Sequence, residues 1–384
     1  MADRPYLIDV SRLIWRVWNG RLPTGIDRVC LAYLERFGDR AQAIVHQWGF
    51  WRILTAAQTD SMTRLLIENP ADFRRQLLPM IPLMSLGFPS IRNCAGKVYL
   101  NIGHTGLDQP SLRRLIRRYR LKAVFLVHDL IPITHPEFCR EGEAEKHRVR
   151  MLNALDSAAG IIGNSQSTLT DLELFAQTNG RPVPPRMPAW ISGHVIPNEV
   201  TPRRMARPYF VTVGTIEGRK NHILLLQLWL HLIQKLGNRT PQLIIVGQRG
   251  WESDHAQAMI DRTAALRGHV VELKRCEDDE LASIIAGARA RLMPSFAEGF
   301  GLPVVEALQL GTPVIASDLP VFREIAGDIP VYLDPTDGAG WEREILAYCE
   351  DSPDRARQVA ALEGYRAPDW QGHFSAVEPW LAQL

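Results

Sequence analysis

The sequence lacks the features that mark several classes of protein. Its five cysteines are scattered and form no C-x-x-C pair, which excludes a disulfide framework or a zinc site and indicates reduced thiols. No run approaches the ~20 apolar residues that span a bilayer, and the longest apolar candidate, at 77–88, carries two prolines. The first 15 residues show no signal core or cleavage site, so we expect a soluble, cytoplasmic protein that at most contacts a membrane face.

Net charge is also small. The 44 Lys and Arg residues against 42 Asp and Glu give +2, which argues against a dedicated nucleic-acid-binding protein. The charge is uneven, because residues 1–190 hold 25 basic and 17 acidic residues while the remainder holds 19 and 25. A basic first half suits anionic lipid or a phosphorylated acceptor, although such a spread also occurs without that role.

Several catalytic signatures are missing. The sequence contains no H-E-x-x-H, G-x-S-x-G, P-loop or G-x-G-x-x-G motif. It also has no D-x-D placed to hold a metal-bound sugar diphosphate. We therefore expect neither a metal ion nor a resident cofactor.

Short β-rich runs alternate with amphipathic helical patterns along the 384 residues, a length that predicts two domains. Many runs are apolar throughout, as in strands covered on both faces. The pattern predicts an α/β fold with two doubly wound parallel sheets. The predicted strands lie at 6–10, 43–48, 97–103, 122–129, 160–165, 194–198, 209–215, 242–247, 269–275, 289–295 and 313–318.

The polar, proline-containing stretch at 199–208 marks the domain boundary. We predict a first domain at 1–200 and a second domain at 205–365. The segment at 366–384 reads as a broken final helix. Ligands of such sheets bind beyond the carboxyl ends of the strands, so two facing domains would form a cleft.

The most informative segment is SFAEGFGLPVVEALQLGTPVIASD at 295–318. Its glycines permit close approach of the backbone to a ligand, and the proline suits the first turn of a helix, where free N–H groups attract phosphate oxygens. Glu298 and Glu306 flank this loop and can accept hydrogen bonds from the vicinal hydroxyls of a sugar or ribose. The plainer alternative is that Glu306 caps a helix or forms a salt bridge and Glu298 is solvated.

The string E-G-F-G-L-P-V-V-E, followed by G-T-P-V-I-A-S-D, resembles the retaining glycosyltransferases of family four, which have the GT-B architecture of two Rossmann-like domains facing a cleft. The resemblance implies that Glu298 lies by the donor sugar and that Glu306 holds the nucleotide ribose. It also implies that the backbone amides of Phe300, Gly301 and Leu302 approach the sugar and the phosphates. By the same resemblance, the first domain (1–200) binds the acceptor, the second domain (205–365) binds the nucleotide sugar, and the C-terminal helix at 366–384 crosses back to the first domain.

A second motif, VGTIEGRKNH at 213–222, follows the first strand of the second half. Gly214 permits a tight turn, and Arg219 and Lys220 place two cations at a helix start, where they suit a departing diphosphate. Such a pair is also common on solvated surfaces. The segment resembles the family's G-T-x-x-x-R-K-N element, in which Arg and Lys neutralise the leaving nucleoside diphosphate in place of a metal ion.

A third motif, VFLVHDLIPITHPEF at 124–138, places His128 at the end of a strand. A histidine there can donate a hydrogen bond to a sugar hydroxyl, or its ring can be satisfied by a nearby carbonyl. The H-D-L-I-P string resembles the family element whose histidine contacts the donor sugar, which makes His128 a candidate catalytic residue. Asp129 is interpreted as structural.

Weaker candidates follow other strands. Gly25, in LPTGIDRV, resembles the family's first glycine loop, which closes over the phosphates, although the paired-glycine form is missing. Arg275 falls where relatives contact the base, largely through backbone. His104 and Ser165 either line an acceptor site or cap helices.

The stretch SLRRLIRRYRLK at 111–122 has basic amphipathic patterning, which can lie on an anionic membrane. The alternative is an ordinary helix whose arginine stems cover its own apolar stripe. Relatives that act on lipid-linked acceptors leave both interpretations open.

Together these motifs predict a retaining, metal-independent glycosyltransferase. It would move a hexosyl or deoxyhexosyl unit from a nucleoside diphosphate sugar, with a GDP-mannose-like donor weakly favoured, to a saccharide or lipid-linked acceptor in bacterial surface-polysaccharide synthesis. Alternatives are a sugar-nucleotide epimerase or phosphorylase of the same fold, or a catalytically silent scaffold of a polysaccharide assembly complex.

Overall fold

A computed structural model describes residues 4–21, 24–47, 50–81, 94–193 and 199–384. The chain divides into two compact units. The first contains Met1–Leu130, Glu145–Ile191 and Trp370–Leu384, and the second contains Ile131–Ala144 and Ser192–Asp369. The predicted strand at 194–198 and the part of the apolar stretch at 77–88 that follows residue 81 lie outside the described residues.

In the described part of the first unit, seven strands form one sheet in the order β3-β2-β1-β4-β5-β6-β7. All neighbours are parallel except β2 and β3, which pair antiparallel. Across the sheet, the strand numbers fall from β3 to β1 and then rise from β4 to β7, so the direction of winding reverses between β1 and β4. The strands are β1 (Tyr6–Asp9), β2 (Ala41–Gln47), β3 (Phe50–Ile53), β4 (Val98–Asn101), β5 (Lys122–Val127), β6 (Gly160–Gly163) and β7 (Arg186–Pro188).

The described part of the second unit forms a six-stranded, wholly parallel sheet in the order β10-β9-β8-β11-β12-β13. This is the doubly wound arrangement, with its reversal between β8 and β11, and ligands bind beyond the strand ends at such a reversal. The strands are β8 (Tyr209–Val213), β9 (Gln242–Val246), β10 (Val270–Leu273), β11 (Arg291–Met293), β12 (Val314–Ser317) and β13 (Val331–Leu333).

Helices connect the strands in both units. In chain order, the described helices are α1 (Ser11–Trp18), α2 (Gly25–Phe37), α3 (Ala56–Glu68), α4 (Phe73–Leu77), α5 (Pro110–Tyr119), α6 (Ile131–Thr134), α7 (Glu143–Ser157), α8 (Gln166–Thr178), α9 (His222–Leu236), α10 (Asp254–Arg262), α11 (Asp278–Gly287), α12 (Leu302–Gln309), α13 (Pro320–Ala326), α14 (Gly338–Cys349), α15 (Pro353–Leu362) and α16 (Trp370–Leu381).

The sequence pattern missed three short strands. β3 forms a hairpin with β2 rather than a parallel crossover, so its local pattern differs from that of its neighbours. β7 and β13 have only three residues each, and β7 ends in a proline, a residue that sheets accept mainly at their edges. A run this short carries too little alternation to be detected in a sequence.

The units differ from the predicted limits of 1–200 and 205–365 at one internal segment. Residues 131–144 group with the second unit because their side chains pack there. The Phe138 ring stacks on Phe296 at 5.2 Å between centroids, and the Trp251 indole N–H donates to the Phe138 carbonyl at 3.2 Å. The second unit also begins earlier than predicted, at Ser192, and Trp370–Leu384 group with the first unit.

Helix α5 contains the basic amphipathic stretch. Its apolar residues Leu112, Leu115 and Ile116 are buried and pack against Tyr99 and Phe125 in the core of the first sheet. The apolar stripe is therefore part of the core and is not available to a membrane. Arginines occupy the opposite face of the helix, as the plainer interpretation of the sequence predicts.

Candidate active site

The loop after β8 carries the first set of candidate residues. Gly214 follows the strand with φ of 140°. Residues other than glycine rarely adopt this backbone conformation. A short 3₁₀ turn at Gly218–Lys220 follows, and α9 begins at His222. Arg219 and Lys220 are thus displayed just before a fifteen-residue helix, at the edge of the sheet where the strand order reverses.

The loop after β11, the neighbouring strand, carries Glu298 and leads into α12. Gly301 caps this helix with φ of 101°, and a Cβ there would lie 2.7 Å from the Phe322 ring, so the turn requires glycine. Phe300 is buried and Leu302 is the first helical residue. The first N–H groups of a helix have no intrahelical acceptor, which leaves this end suited to an anion.

A hydrogen-bonded ion network joins the two loops. Arg219 Nη1 donates to Glu298 Oε2 at 2.7 Å, and Lys220 Nζ donates to Glu298 Oε1. Ser295 Oγ donates to the same Oε1 at 2.8 Å, and Arg219 Nη2 pairs with Glu217 Oε1 at 2.7 Å. The structure therefore brings together three of the four predicted catalytic residues.

Burial makes this network more than a surface contact. The side chains of Glu298 and Glu217 are 6% and 4% exposed, and that of Lys220 is 11% exposed. Burial alone would raise the pKa of Glu298, but the charges and hydrogen bonds of Arg219 and Lys220 outweigh it and lower the pKa to about 2. Glu298 is therefore ionised at neutral pH and holds both cations in place.

The pKa values of Lys220 and Glu217 shift in the direction that burial imposes. Burial lowers the pKa of Lys220, and the carboxylate of Glu298 opposes this change. Burial raises the pKa of Glu217 against the charges of Arg219 and Lys220. With Glu217 present, two acids balance two cations, so the cluster is less cationic than the Arg-Lys pair in the sequence indicates.

Glu306, in α12, has a different partner. Its Oε2 lies 3.5 Å from Nη1 of Arg291, the first residue of β11. The Glu306 side chain is 13% exposed, whereas Arg291 is fully buried. Glu306 thus forms the salt bridge that the plainer interpretation predicts, while Glu298 is paired and not solvated.

Arg275 and Gly25 are not members of this network. Arg275 follows β10, two strands away from β8 in the sheet, and its 71% exposed side chain pairs with Glu277 at 3.3 Å. Gly25 belongs to the first unit, where it begins α2 and is exposed. Thr24 and Asp27 form the capping box that their spacing predicts, with the Thr24 N–H donating to Asp27 Oδ2 at 2.7 Å.

His128 follows β5 in the first unit and is 5% exposed. Its Nε2 lies 2.8 Å from the Ile102 carbonyl oxygen, so this nitrogen must donate. Burial lowers the pKa of His128 to about 4, which keeps the ring neutral and leaves Nδ1 as an acceptor. The prediction that His128 donates to a sugar hydroxyl therefore needs correction, because Nδ1 of the neutral ring can only accept.

Two other candidates, His104 and Ser165, form hydrogen bonds with backbone groups of the first unit. His104 has φ of 59°, and its Nε2 donates to the Leu126 carbonyl at 2.8 Å. The rings of His104 and His128 lie 5.3 Å apart. Ser165 caps α8 by accepting the Thr168 N–H at 3.0 Å. Of the two interpretations of Ser165, lining an acceptor site or capping a helix, the structure shows the helix cap.

Sequence reasoning missed Glu217, Ser295 and Arg291. Glu217 and Ser295 were visible as neighbours of recognised motif residues, two positions before Arg219 and three before Glu298. Arg291 stands between the apolar Ala290 and Leu292 in the predicted strand RARLMPS, and this charge within a core strand was the available signal.

Chemically, the arrangement suits an anion that carries hydroxyl groups. Two cations and a helix start favour phosphate oxygens, while carboxylates favour hydroxyl donors. Among the described residues, no three His, Cys, Asp or Glu side chains are grouped as metal ligands. Within the same residues, no helix has both the length and the hydrophobicity of a membrane span.

One family model matches most of the second unit. Residues 198–362 match the family model described as glycosyl transferases group 1. The O-antigen chain mannosyltransferase B of Escherichia coli is 32% identical over 251 residues, which cover 63% of this chain and 65% of that protein. The O-antigen chain mannosyltransferase RfbU of Salmonella typhimurium is 32% identical over 180 residues, or 46% and 47% of the two chains. The chain thus spans less than two thirds of the length of these relatives.

Solved structures agree on the fold. The Anabaena protein HepE, crystallised in complex with UDP and glucose, superposes with a TM-score of 0.67 at 15% identity and covers 99% of both chains. This likeness confirms the predicted GT-B fold. The family model and the two mannosyltransferases confirm the resemblance to glycosyltransferases that the sequence motifs indicate.

Proposed function

We propose that the chain, whose residues 198–362 match the model of glycosyl transferases group 1, is a retaining glycosyltransferase of bacterial surface-polysaccharide synthesis. It transfers a hexosyl or deoxyhexosyl unit from a nucleoside diphosphate sugar to a saccharide or lipid-linked saccharide. The two O-antigen mannosyltransferases that match its sequence support a mannose-type donor. A GDP sugar is the donor that we test first.

The observation that carries this proposal is the network of Arg219, Lys220 and Glu298 at the reversal point of the second sheet. Arg219 and Lys220 bind the diphosphate and stabilise the negative charge that develops as it leaves. This charge stabilisation supports a reaction without a metal ion or a resident cofactor. Binding requires both cations to share their hydrogen bonds between Glu298 and the phosphate oxygens, because each already contacts that carboxylate.

The remaining residues orient the donor. Glu298 accepts hydrogen bonds from the sugar, Glu306 accepts them from the ribose, and the amides of Phe300, Gly301 and Leu302 approach the phosphates. The positions of Gly214 and Gly301 shape the two loops. His128 accepts a hydrogen bond from a sugar hydroxyl through Nδ1, and Gly25 and Arg275 contribute through backbone.

We assign retention of configuration to a same-face reaction. The bond between the anomeric carbon and the phosphate oxygen breaks, and the acceptor oxygen forms its bond to that carbon on the same face. The acceptor proton passes to a phosphate oxygen of the leaving diphosphate. This route requires no side-chain base, which agrees with the role of Glu298 as a carboxylate already paired with two cations.

A peripheral contact with an anionic membrane is part of the proposal. Arg114, Arg117, Arg118 and Arg120 are exposed on or directly after α5. Since the apolar residues of this helix lie in the core, the contact is electrostatic and acts at the cytoplasmic face. Flotation with anionic vesicles should show binding that salt abolishes, and equal recovery with neutral vesicles would contradict it.

The decisive experiment is a thermal-shift screen with GDP, UDP, ADP and dTDP sugars, followed by product analysis. GDP-mannose should raise the melting temperature most, since a ligand that binds only the folded state stabilises it by mass action. With an oligosaccharide acceptor and EDTA, NMR of the product should show an α-linkage.

Other outcomes identify the alternatives. Release of free nucleotide without acceptor indicates an epimerase, which the named relatives do not support, and a dependence on orthophosphate indicates a phosphorylase. Binding without transfer or hydrolysis indicates a silent scaffold. A failure of all sugar nucleotides to bind contradicts the proposed function.

A further inference from the structure

Arg291 has an unusual environment for a cation. It is the first residue of β11, and its side chain is fully buried between β8 and β12. Nη1 lies 3.5 Å from Glu306 Oε2, while Nε and Nη2 have no hydrogen-bond partner within the described part of the chain. Neighbouring strand positions such as Leu292, Val314 and Val211 are buried and apolar.

Fold stability gives no reason for this arrangement. Taking a guanidinium out of water is costly, and a single long contact compensates for little of that cost. Burial lowers the pKa of Arg291 to about 10 against the opposing charges of Glu306 and Glu298, so the group remains a cation at neutral pH. An apolar side chain of similar volume would leave the sheet equally or more stable.

The position of Glu306 supplies a reason. Its Oε2 faces Arg291, and Gly193 lies close to the same side chain, since a Cβ added to Gly193 would lie 3.3 Å from Glu306 Cγ and 4.0 Å from Oε1. The buried guanidinium of Arg291 thus holds one carboxylate oxygen of Glu306. The other oxygen is left to accept hydrogen bonds from a ligand.

We propose that Arg291 is a positioning residue that holds the Glu306 carboxylate in the orientation for recognising the ribose hydroxyls of the donor nucleotide. Arg291 does not touch the ligand, because its side chain is fully buried, whereas that of Glu306 is partly exposed. This inference rests on the proposed function and adds the source of the preference for a nucleotide that has ribose hydroxyls. It separates ribose recognition by Arg291 and Glu306 from diphosphate recognition by Arg219 and Lys220.

The test is calorimetric binding of GDP and 2′,3′-dideoxy-GDP, with UDP and its dideoxy analogue in parallel. The wild-type protein should bind the ribonucleotide about 10- to 100-fold more tightly, the scale of a hydrogen bond to a charged group. Arg291→Met should reduce ribonucleotide affinity to that of the dideoxy analogue and leave the analogue's affinity unchanged. Arg291→Lys, which retains the charge, should restore part of the preference.

Two further variants provide matched controls. Arg289→Met removes an arginine two residues earlier whose side chain donates to the Tyr348 and Glu350 carbonyls and to the exposed Asp351, and it should keep both affinities. Lys220→Ala should weaken both nucleotides equally and so preserve their ratio. Melting temperatures of all variants establish that each is folded.

The outcomes separate the two proposals. A wild-type preference for the ribonucleotide that survives in Arg291→Met overturns the positioning role and leaves the proposed function intact. Equal weakening of both nucleotides in Arg291→Met, together with a lower melting temperature, shows a structural role and also overturns it. A wild-type protein that binds neither nucleotide pair overturns both proposals.

Discussion

The two sheets place different chemistry beyond the ends of their strands. In the second sheet, the loops after the adjacent strands β8 and β11 bring Arg219, Lys220 and Glu298 into one ion network. In the first sheet, β4, which borders the reversal, and its neighbour β5 end near His104 and His128, whose rings are 5.3 Å apart. Both rings bond to backbone carbonyls and are held neutral.

This difference shows how one fold can serve two kinds of ligand. Charged groups that are fixed by buried acids suit a diphosphate, whose charge grows as it leaves. Neutral rings with one nitrogen already bonded offer a single acceptor, which suits a sugar hydroxyl. The sheet supplies the position, and the loop residues supply the chemistry.

The largest expected effect comes from removing a member of the ion network. Lys220→Ala and Glu298→Ala should each lower turnover by about 100-fold or more, the scale for losing a charge-stabilising group. Steady-state kinetics with GDP-mannose and acceptor measure this change. The comparison of the two sheets predicts that no single substitution in the first sheet has an equal effect on the step that releases the diphosphate.

The pair Lys235 and Glu342 provides a matched control. Lys235 lies on α9 and pairs with Glu342 at 3.0 Å, but its side chain is 53% exposed. Lys235→Ala and Glu342→Ala should keep wild-type turnover, because exposed ion pairs contribute little. Wild-type turnover in folded Lys220→Ala or Glu298→Ala protein would remove the assigned roles.

Acid should affect the first unit more than the second. Burial lowers the pKa of His128 and His373 to about 4 and that of His104 well below its usual range, all in the first unit. In the second unit, His222 is lowered to about 4. Since the unfolded chain binds protons near pH 6.5 and these rings do not, stability falls as the pH drops from about 6.5 toward 4.

Hydrogen exchange near pH 7 and pH 5, corrected for intrinsic rates, should show a greater loss of protection in the first unit. His373→Gln should reduce the pH dependence of the free energy of unfolding by about 1–2 kcal/mol, the contribution of one such ring. Equal loss of protection in both units would contradict this expectation.

The smallest expected effect belongs to His128. His128→Gln should lower kcat/KM for the sugar nucleotide by up to about tenfold, because one neutral hydrogen bond contributes about 0.5–1.5 kcal/mol. Affinity for the nucleoside diphosphate without its sugar should not change. A 100-fold loss, or weaker binding of the diphosphate alone, would show that the first sheet also stabilises the leaving group.

Much of the fold follows from the sequence because it depends on local patterns. Apolar runs such as YFVTV and QLIIV mark strands that are covered on both faces, and both appear as β8 and β9. The motifs around Arg219 and Glu298 follow adjacent strands, so strand order alone brings their loops to one edge of the sheet. Predicting this neighbourhood required only the doubly wound topology.

Features that depend on side-chain packing were not predictable in the same way. The pairing of Arg219 with Glu217, and of Arg291 with Glu306, depends on rotamers and on burial that no spacing rule specifies. The proton position on His128 depends on the Ile102 carbonyl, which lies 26 residues away in the chain. Sequence patterns identify candidates for a site, and tertiary packing determines the role that each one can fill.

The placement of residues 131–144 constrains how the protein can be cut or recombined. The chain passes between its two units at four points, after Leu130, Ala144, Ile191 and Asp369. A fragment that starts at Ser192 would lack Phe138 and expose the ring face of Phe296, two residues before the acid at position 298. Chimaeras that exchange the sugar-nucleotide half between homologues should therefore carry this insert with it, and expression trials of that half alone should supply the insert as a linked peptide.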